Sequence, residues 1–275
     1  MLPSTKKQLE LFLAEDIKSG DITSKLLEGK KITATIISRE NGIIAGVAYV
    51  KEIFASKNCK VIIYRRDGQT ISPNQKIMTI IGDAYTILSR ERTALNLMSR
   101  MSGIAKQTSL LVKKIHAANP KVGLYSTRKT APGLRIFDKD AVAIGGGHRH
   151  RMSLDQMVMI KDNHIAAADS LLGLIKKAKQ KHKKIEVEVE NLEDAITAAR
   201  EGTEIIMLDN MPPPKIRKII SELKRLNLRN KVRIEASGGI NQSNVVQYAR
   251  SGVDMISIGR LTSSVSGLDL SLEVS

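Results

Sequence analysis

Cysteine is almost absent from this 275-residue chain, where Cys59 stands alone. A single thiol excludes a disulfide framework and a cysteine-rich zinc site, and it suits a reducing compartment. Tryptophan is missing and aromatic residues amount to 3%, so the core has to be built from Ile, Leu, Val, Met and Ala. The longest apolar run, IIAGVAYV at 43–50, falls far short of the ~20 residues that cross a bilayer. No apolar stretch follows the lysines of the first ten residues, so no secretory signal is expected. The protein is read as soluble and cytoplasmic, without membrane partners. Acidic residues are scarce beside basic ones, 28 against 44, for a net charge of +16. That excess implies an anionic partner: nucleic acid, a membrane surface or a polyanionic small molecule. The densest basic run, KKAKQKHKK at 176–184, has no interleaved aromatics to stack on bases and is read as a solvated helix end.

What is present is globular: 42% hydrophobic and 26% charged residues, in a chain long enough for one large domain or two modest ones. Residues 1–105 read as a mixed α/β domain. Ser4 or Thr5 caps a helix with Leu9, Phe12, Leu13 and Ile17 on one face. Extended segments are expected at 31–38, 43–50, 60–65 and 76–81, separated by Asn41-Gly42, Asp67-Gly68 and Pro73-Asn74. A long helix is expected from about Thr86. From Val122 onward strands and helices alternate. Strand-like runs fall at 122–126, 157–160, 185–189, 204–208, 232–236 and 254–258, and helices at 192–200, 215–226 and 242–250. Repeated βα units specify a parallel sheet covered by helices.

Six of those strands end on polar groups: Thr127-Arg128-Lys129, Lys161 to His164, Glu188 with Glu190, Asp209-Asn210, Ser237-Gly238-Gly239 and Gly259-Arg260. Strand ends converge on one mouth in a βα barrel and spread along an edge in an open sheet, so the barrel is expected. No GxGxxG follows the first of these strands, which argues against dinucleotide binding. In IEVEVE (185–190), alternation places Glu186, Glu188 and Glu190 on one face. Buried carboxylates need cations or donors, and Arg128, Lys129, Arg151 and Lys161 are at hand. With Asp209 they make a charge-balanced cluster able to hold Mg²⁺ through oxygen ligands. Glycines in SGG (237–239) and SIG (257–259), with a helix expected from Asn241, suit backbone binding of a phosphate. GGGHRHR (145–151) lacks the ligands of a zinc site and is read as an anion clamp, Arg gripping a carboxylate bidentately. His116, His164 and His182 carry no comparable pattern.

These motifs together resemble the quinolinate phosphoribosyltransferases, also called carboxylating nicotinate-nucleotide pyrophosphorylases. The matching segments are GDIT (20–23), ERTALNLMSRMSGIA (91–105), TRKTAPGLR (127–135), GGGHRHRMSLDQMVMIKDNHI (145–165), EVEVENLEDA (186–195), MLDNM (207–211), ASGGI (236–240) and GVDMISIGRLTSS (252–264). They run in order through nearly the whole chain. The resemblance implies an N-terminal α/β sandwich (1–105) followed by an incomplete parallel α/β, TIM-like barrel (106–265), with the tail 266–275 packing back on the first domain. It implies transfer of phosphoribose from phosphoribosyl pyrophosphate to quinolinate with loss of CO₂ and pyrophosphate, dependent on Mg²⁺. It also implies a homodimer with shared active sites, alone or within a higher oligomer, and no nucleic-acid partner.

Residue by residue, the resemblance assigns the quinolinate carboxylates to Arg128, His150 and Arg151, with Arg92 reaching in from the partner subunit. Lys129 and Lys161 face the carboxylates or the pyrophosphate, beside Thr127. Glu188 and Asp209 meet the ribose hydroxyls and Mg²⁺, directly or through water. Ser237, Gly238 and Gly239, with Ile258, Gly259 and Arg260, cradle the 5′-phosphate. Two positions depart from the family pattern: Arg149 stands where Asn is usual, and Arg260 where Ala is usual. The second change adds positive charge beside the phosphate. The rival readings are a phosphoribosyltransferase for another anionic base and a basic nucleic-acid-binding protein. The acidic pair Glu188 and Asp209 opposes the latter, because it repels a phosphate backbone.

Overall fold

Pro3 opens the first helix, α1 (Pro3–Ile17). Proline suits that position because its missing N–H has no intrahelical partner and its φ is preset. The helix therefore starts ahead of Ser4 and Thr5, which were expected to cap it, and Thr5 is buried in its first turn. The structure is a computed structural model and describes residues 2–55 and 57–275. The chain divides into two compact units: residues 1–109, 131–146 and 264–275 form one, and residues 110–130 and 147–263 the other.

In the first unit, β1 (Lys31–Ser38) and β2 (Gly42–Ile43) lead into α2 (Val47–Ala55). The run 43–50, expected as a strand, is strand only at Ile43 and helix from Val47 onward. A short apolar run cannot by itself distinguish the two. Here Gly46, at φ 97, turns the chain, the Asp67 carboxylate accepts the Val47 N–H at 2.9 Å, and Val47, Val50, Ile53 and Phe54 bury one helical face. Next come β3 (Lys60–Ile63), β4 (Thr70–Ile71), β5 (Lys76–Asp83) and the long α3 (Ala84–Ala118). The Asp83 carboxylate accepts the Thr86 N–H at 2.9 Å, satisfying an orphan donor of the first turn. β1 pairs antiparallel with β5 on one side and with the tail strand Leu270–Val274 on the other, and β5 pairs with β3.

The compact units do not follow the expected division at 105/106. The boundary in α3 falls at 109/110, and residues 131–146 count with the first unit. The reason is α4 (Arg135–Ile144): Phe137 packs its ring at 5.5 Å from Phe12 and 4.9 Å from Tyr49. Arg100 grips the buried Asp138 with two bonds of 2.7 and 2.9 Å.

The second unit holds six parallel strands: β6 (Gly123–Tyr125), β7 (Val158–Ile160), β8 (Ile185–Val189), β9 (Ile205–Asp209), β10 (Arg233–Ser237) and β11 (Met255–Ser257). Their order is β6-β11-β10-β9-β8-β7. Among the described residues β6 and β7 do not pair with each other, so the barrel is incomplete. Between the strands lie α5 (Asp162–Ala166), α6 (Leu171–Lys179), α7 (Leu192–Arg200), α8 (Pro213–Arg225), α9 (Val245–Ala249) and α10 (Arg260–Ser263). The helix expected from Asn241 begins at Val245 and has five residues. Turn residues 242–244 precede it, where the Asn241 side chain accepts the Ser243 N–H at 2.9 Å. Asparagine competes for backbone groups in this way and delays the helix.

Strand pairing fixes which residues share a face. Met159 is in register with Glu186, Glu188 with Met207, Asp209 with Ser237, Glu235 with Met255, and Ser257 with Tyr125. Alternation then places Lys161, Glu186, Glu188, Asp209, Glu235, Ser237 and Gly259 on one face. The other face is aliphatic: Ile160, Val187, Val189, Ile206, Leu208, Ile234, Ala236 and Ile256 are buried there. This gives a polar interior inside an apolar sheath, with the strand C-termini carrying the charged groups.

Candidate active site

The polar face changes character along β8. Glu186 is fully buried, Glu188 is half-buried and Glu190, past the strand end, is exposed. Glu188 Oε2 accepts a hydrogen bond from Lys161 Nζ, and the two side chains are 11% and 39% exposed. Asp209, at the end of the adjacent β9, accepts from the Asn210 amide at 2.6 Å. Asn210 is left-handed, with φ 50, and its side chain lies against Gly238. A Cβ on Gly238 would sit 2.2 Å from Asn210 Oδ1, and φ there is +85. Glycine is therefore required at 238 on both counts.

Beyond these strand ends lies a cavity of about 210 Å³, lined by Thr127 and Lys129, by Ser237 to Asn241, and by Ser257 to Arg260. Two loops hold its walls. Thr262 Oγ1 donates to the Lys129 carbonyl at 2.8 Å, and Asn244 donates to the Gly239 carbonyl at 3.1 Å. Gly259 lets the Lys129 side chain lie close, since a Cβ would meet Lys129 Cδ at 2.8 Å. Small residues, backbone amides and two cations suit an anion. The residues assigned to the phosphate thus line one cavity, together with Thr127 and Lys129.

Arg128 and Arg151 form a second group. The Arg128 Nε is buried with no hydrogen-bond partner. Burial, and then the neighbouring Arg128 cation, push the Arg151 pKa below its ordinary value. Two guanidinium groups held together favour an anion between them. Arg151 is anchored on β7, donating from Nη1 to the Met157 carbonyl and from Nη2 to Met159 Sδ, each at 3.1 Å. The segment carrying it runs beside β6. His148 N donates to the Leu124 carbonyl at 2.8 Å, Ser126 N to the His148 carbonyl at 2.9 Å, and Ser126 Oγ to the Arg149 carbonyl at 2.7 Å. The basic loop therefore makes bonds at both edges of the six-stranded sheet, beside β6 and at β7. The Arg149 side chain takes no part in those backbone contacts.

His150, which the resemblance assigns to the substrate carboxylates, has protein atoms at both ring nitrogens. Its Nδ1 accepts the Arg151 backbone N–H at 2.8 Å, and its Nε2 faces Glu235 Oε2 at 3.3 Å and Glu186 Oε2 at 3.4 Å. Both ring nitrogens are turned to protein. Burial first, then the Glu235 carboxylate, push the Glu186 pKa up to about 9. Glu235 was not anticipated from sequence. The available signal was parity, because it lies two residues before Ser237 and must share its face.

Arg92 belongs to the first unit. It stands exposed on α3 beside a groove of about 420 Å³, together with Thr93, Asn96 and Arg100.

Comparison with known proteins meets the same segments. Residues 21–102 match the family model for the quinolinate phosphoribosyl transferase N-terminal domain, and residues 104–273 the model for its C-terminal domain. A probable nicotinate-nucleotide pyrophosphorylase (carboxylating) of Archaeoglobus fulgidus is 45% identical over 255 residues, 93% of this chain and 98% of that protein. The solved nicotinate-nucleotide pyrophosphorylase of Francisella tularensis superposes with a TM-score of 0.91 at 37% identity, covering 100% of this chain and 98% of the other. That of Ehrlichia chaffeensis gives 0.93 at 34% identity over the whole of both chains. Similarity of this extent in both sequence and fold shows that the chain belongs to the quinolinate phosphoribosyltransferase family.

Proposed function

We propose that this protein transfers phosphoribose from phosphoribosyl pyrophosphate to quinolinate, releasing pyrophosphate and CO₂ and forming nicotinate mononucleotide for NAD biosynthesis. The observation that carries the reading is the arginine pair at the barrel mouth. Arg128, with its unpartnered buried Nε, stands beside Arg151, as a dicarboxylate requires. The phosphate end of the other substrate fits the cavity at Ser237–Gly239 and Ile258–Arg260. Both substrates are polyanions, which gives the +16 charge a use in steering and binding.

Each protein group then has a defined task. Arg128 and Arg151 hold the ring carboxylates and fix the pyridine nitrogen toward the ribose. Glu188 and Asp209 face the sugar carbon as it gains positive charge on loss of pyrophosphate, and Lys161 and Lys129 offset charge on the departing phosphates. Bond formation leaves a pyridinium, which accepts the electron pair released when the adjacent carboxylate departs as CO₂, so no strong base is needed. Glu188 and Asp209 also fit Mg²⁺. They offer hard oxygen donors from adjacent strands, and among the described residues the second oxygen of each has no hydrogen bond. Bound there with substrate phosphates and water, Mg²⁺ would neutralise charge on the leaving group.

The direct test is a steady-state assay with quinolinate, phosphoribosyl pyrophosphate and Mg²⁺. Nicotinate mononucleotide should form, and nicotinate in place of quinolinate should give none. DNA or RNA affinity falling steeply with salt, with no product formed, would favour the nucleic-acid-binding reading. We place the reaction in the cytoplasm and in a homodimer whose partner supplies Arg92. Arg92→Ala and Lys161→Ala homodimers should each be nearly inactive. Subunit exchange between them puts both defects into one site of a mixed dimer and spares the other, so about a quarter of wild-type activity should return. If exchange is verified and nothing returns, Arg92 acts within its own subunit.

A further inference from the structure

A cluster beneath the arginine pair has no task in the reaction as described. His150, Glu186 and Glu235 bring their ligand atoms within 4.8 Å of one another. The three side chains are 7%, 0% and 0% exposed. Both oxygens of Glu186 and Oε1 of Glu235 are buried without a hydrogen-bond partner. His150 sits at φ 53, a left-handed conformation that an ordinary residue adopts only where its surroundings enforce it.

The hydrogen bonds fix the state of the ring. A nitrogen that accepts from a backbone N–H carries no proton, so the Arg151 N–H bond to Nδ1 assigns the proton to Nε2. Nε2–H then points at Glu235 Oε2, 3.3 Å away, with the Glu186 carboxyl alongside. In this arrangement the imidazole has no nitrogen left for a substrate. It joins Glu235 on β10 to the backbone of the residue whose guanidinium grips the substrate. Before it, the loop is pinned to β6 through His148 and Arg149, and after it Arg151 is pinned to β7. His150 is the turn between those two anchorages.

We propose that Glu235 is a positioning residue for quinolinate: it holds His150 in the Nε2–H tautomer, so that Nδ1 fixes the Arg151 backbone and aims its guanidinium at the substrate carboxylate. The proposal rests on the functional reading above and deepens it. It makes His150 a support of the carboxylate clamp, and it separates quinolinate recognition from the phosphoribosyl end of the site.

The test pairs kinetics with spectroscopy on the full-length protein. Glu235→Leu removes the acceptor and should raise the quinolinate KM about tenfold. The phosphoribosyl pyrophosphate KM and the turnover at saturating quinolinate should stay unchanged. Glu235→Gln keeps a carbonyl acceptor for Nε2–H and should bring the quinolinate KM back to within about threefold of wild type. Nitrogen-15 spectra of histidine-labelled protein, with His150 identified by its loss in His150→Asn, should show Nε2 protonated and Nδ1 bare. Those shifts should not move when quinolinate saturates. Glu235→Leu should mix in the other tautomer. A parallel rise in both KM values, a Gln variant as impaired as the Leu variant, or a protonated Nδ1 in the wild type would overturn the proposal. So would a divalent metal found by elemental analysis whose removal lowers quinolinate affinity. If Glu235→Leu fails to fold, the wild-type and Glu235→Gln spectra still decide the tautomer. A wild type that forms no nicotinate mononucleotide would sink the functional reading, while the spectra still judge the hydrogen-bond arrangement.

Discussion

Glu186 and Glu188 stand two residues apart on the same face of β8, in opposite surroundings. Glu188 lies at the mouth, bonded to Lys161 and open to a substrate. Glu186 lies one step deeper, closed off, with no hydrogen bond to either oxygen and a second carboxyl, Glu235, beside it. One residue type serves two ends because burial and neighbours set its chemistry. A carboxylate facing charge at the mouth keeps access and a counter-charge, whereas burial beside a second carboxyl holds Glu186 in its protonated form. The barrel interior is thus graded, with closed-off carboxyls at depth and an accessible, ion-paired one at the rim.

The sharpest break in that grading should come from the rim. Glu188→Gln keeps shape and removes charge, so turnover should fall about a hundredfold while both substrate constants change little. Unchanged turnover with raised constants would make Glu188 a binding group. Next in size, Arg128→Ala and Arg151→Ala each remove charge-assisted bonds worth about 1.5–3 kcal/mol, and quinolinate affinity measured by calorimetry should drop roughly 10- to 150-fold. Wild-type affinity in both variants would show the carboxylate clamp to be misassigned.

Gly238→Ala tests the phosphate wall. The added Cβ meets Asn210 in a left-handed position, which should cost about 1–3 kcal/mol in urea unfolding and weaken phosphoribosyl pyrophosphate more than quinolinate. The deep carboxyl is probed by pH. Folded Glu186 keeps its proton to about pH 9, against 4.5 ordinarily. Between those values the folded state binds more protons than the unfolded one, so this group makes stability fall as pH rises. Glu186→Gln abolishes that contribution. Its unfolding free energy should decline less with pH than the wild type's between about pH 5 and 8, by at most about 1.4 kcal/mol per pH unit. Identical slopes would place the Glu186 titration elsewhere.

Strand alternation made the second unit legible from the chain alone. IEVEVE declares its polar face, and the strand-end motifs carry their chemistry in consecutive letters. The helix α7 fell at residues 192–200 as expected, because Asn191 caps it and its apolar spacing is regular. What stayed hidden depended on distant partners. Residues 47–50 become helix where Asp67 accepts the Val47 N–H from twenty residues away. α4 joins the first unit through Phe12, Tyr49 and Arg100. Glu235 looks like an isolated acid in VRIEAS until the register with Met207 and Met255 turns it inward. The contacts of the His150 ring nitrogens were hidden too, because sequence does not show where a ring nitrogen points.

The central claim is that the polar face of the barrel unit carries out a transfer coupled to decarboxylation. It is tested most directly with quinolinate carrying ¹³C in the carboxyl group next to the ring nitrogen, incubated with phosphoribosyl pyrophosphate, Mg²⁺ and the enzyme. The account predicts one labelled CO₂ for each nicotinate mononucleotide formed, and neither product without phosphoribosyl pyrophosphate. Label retained in a dicarboxylated nucleotide, or nicotinate accepted with no CO₂ released, would contradict it.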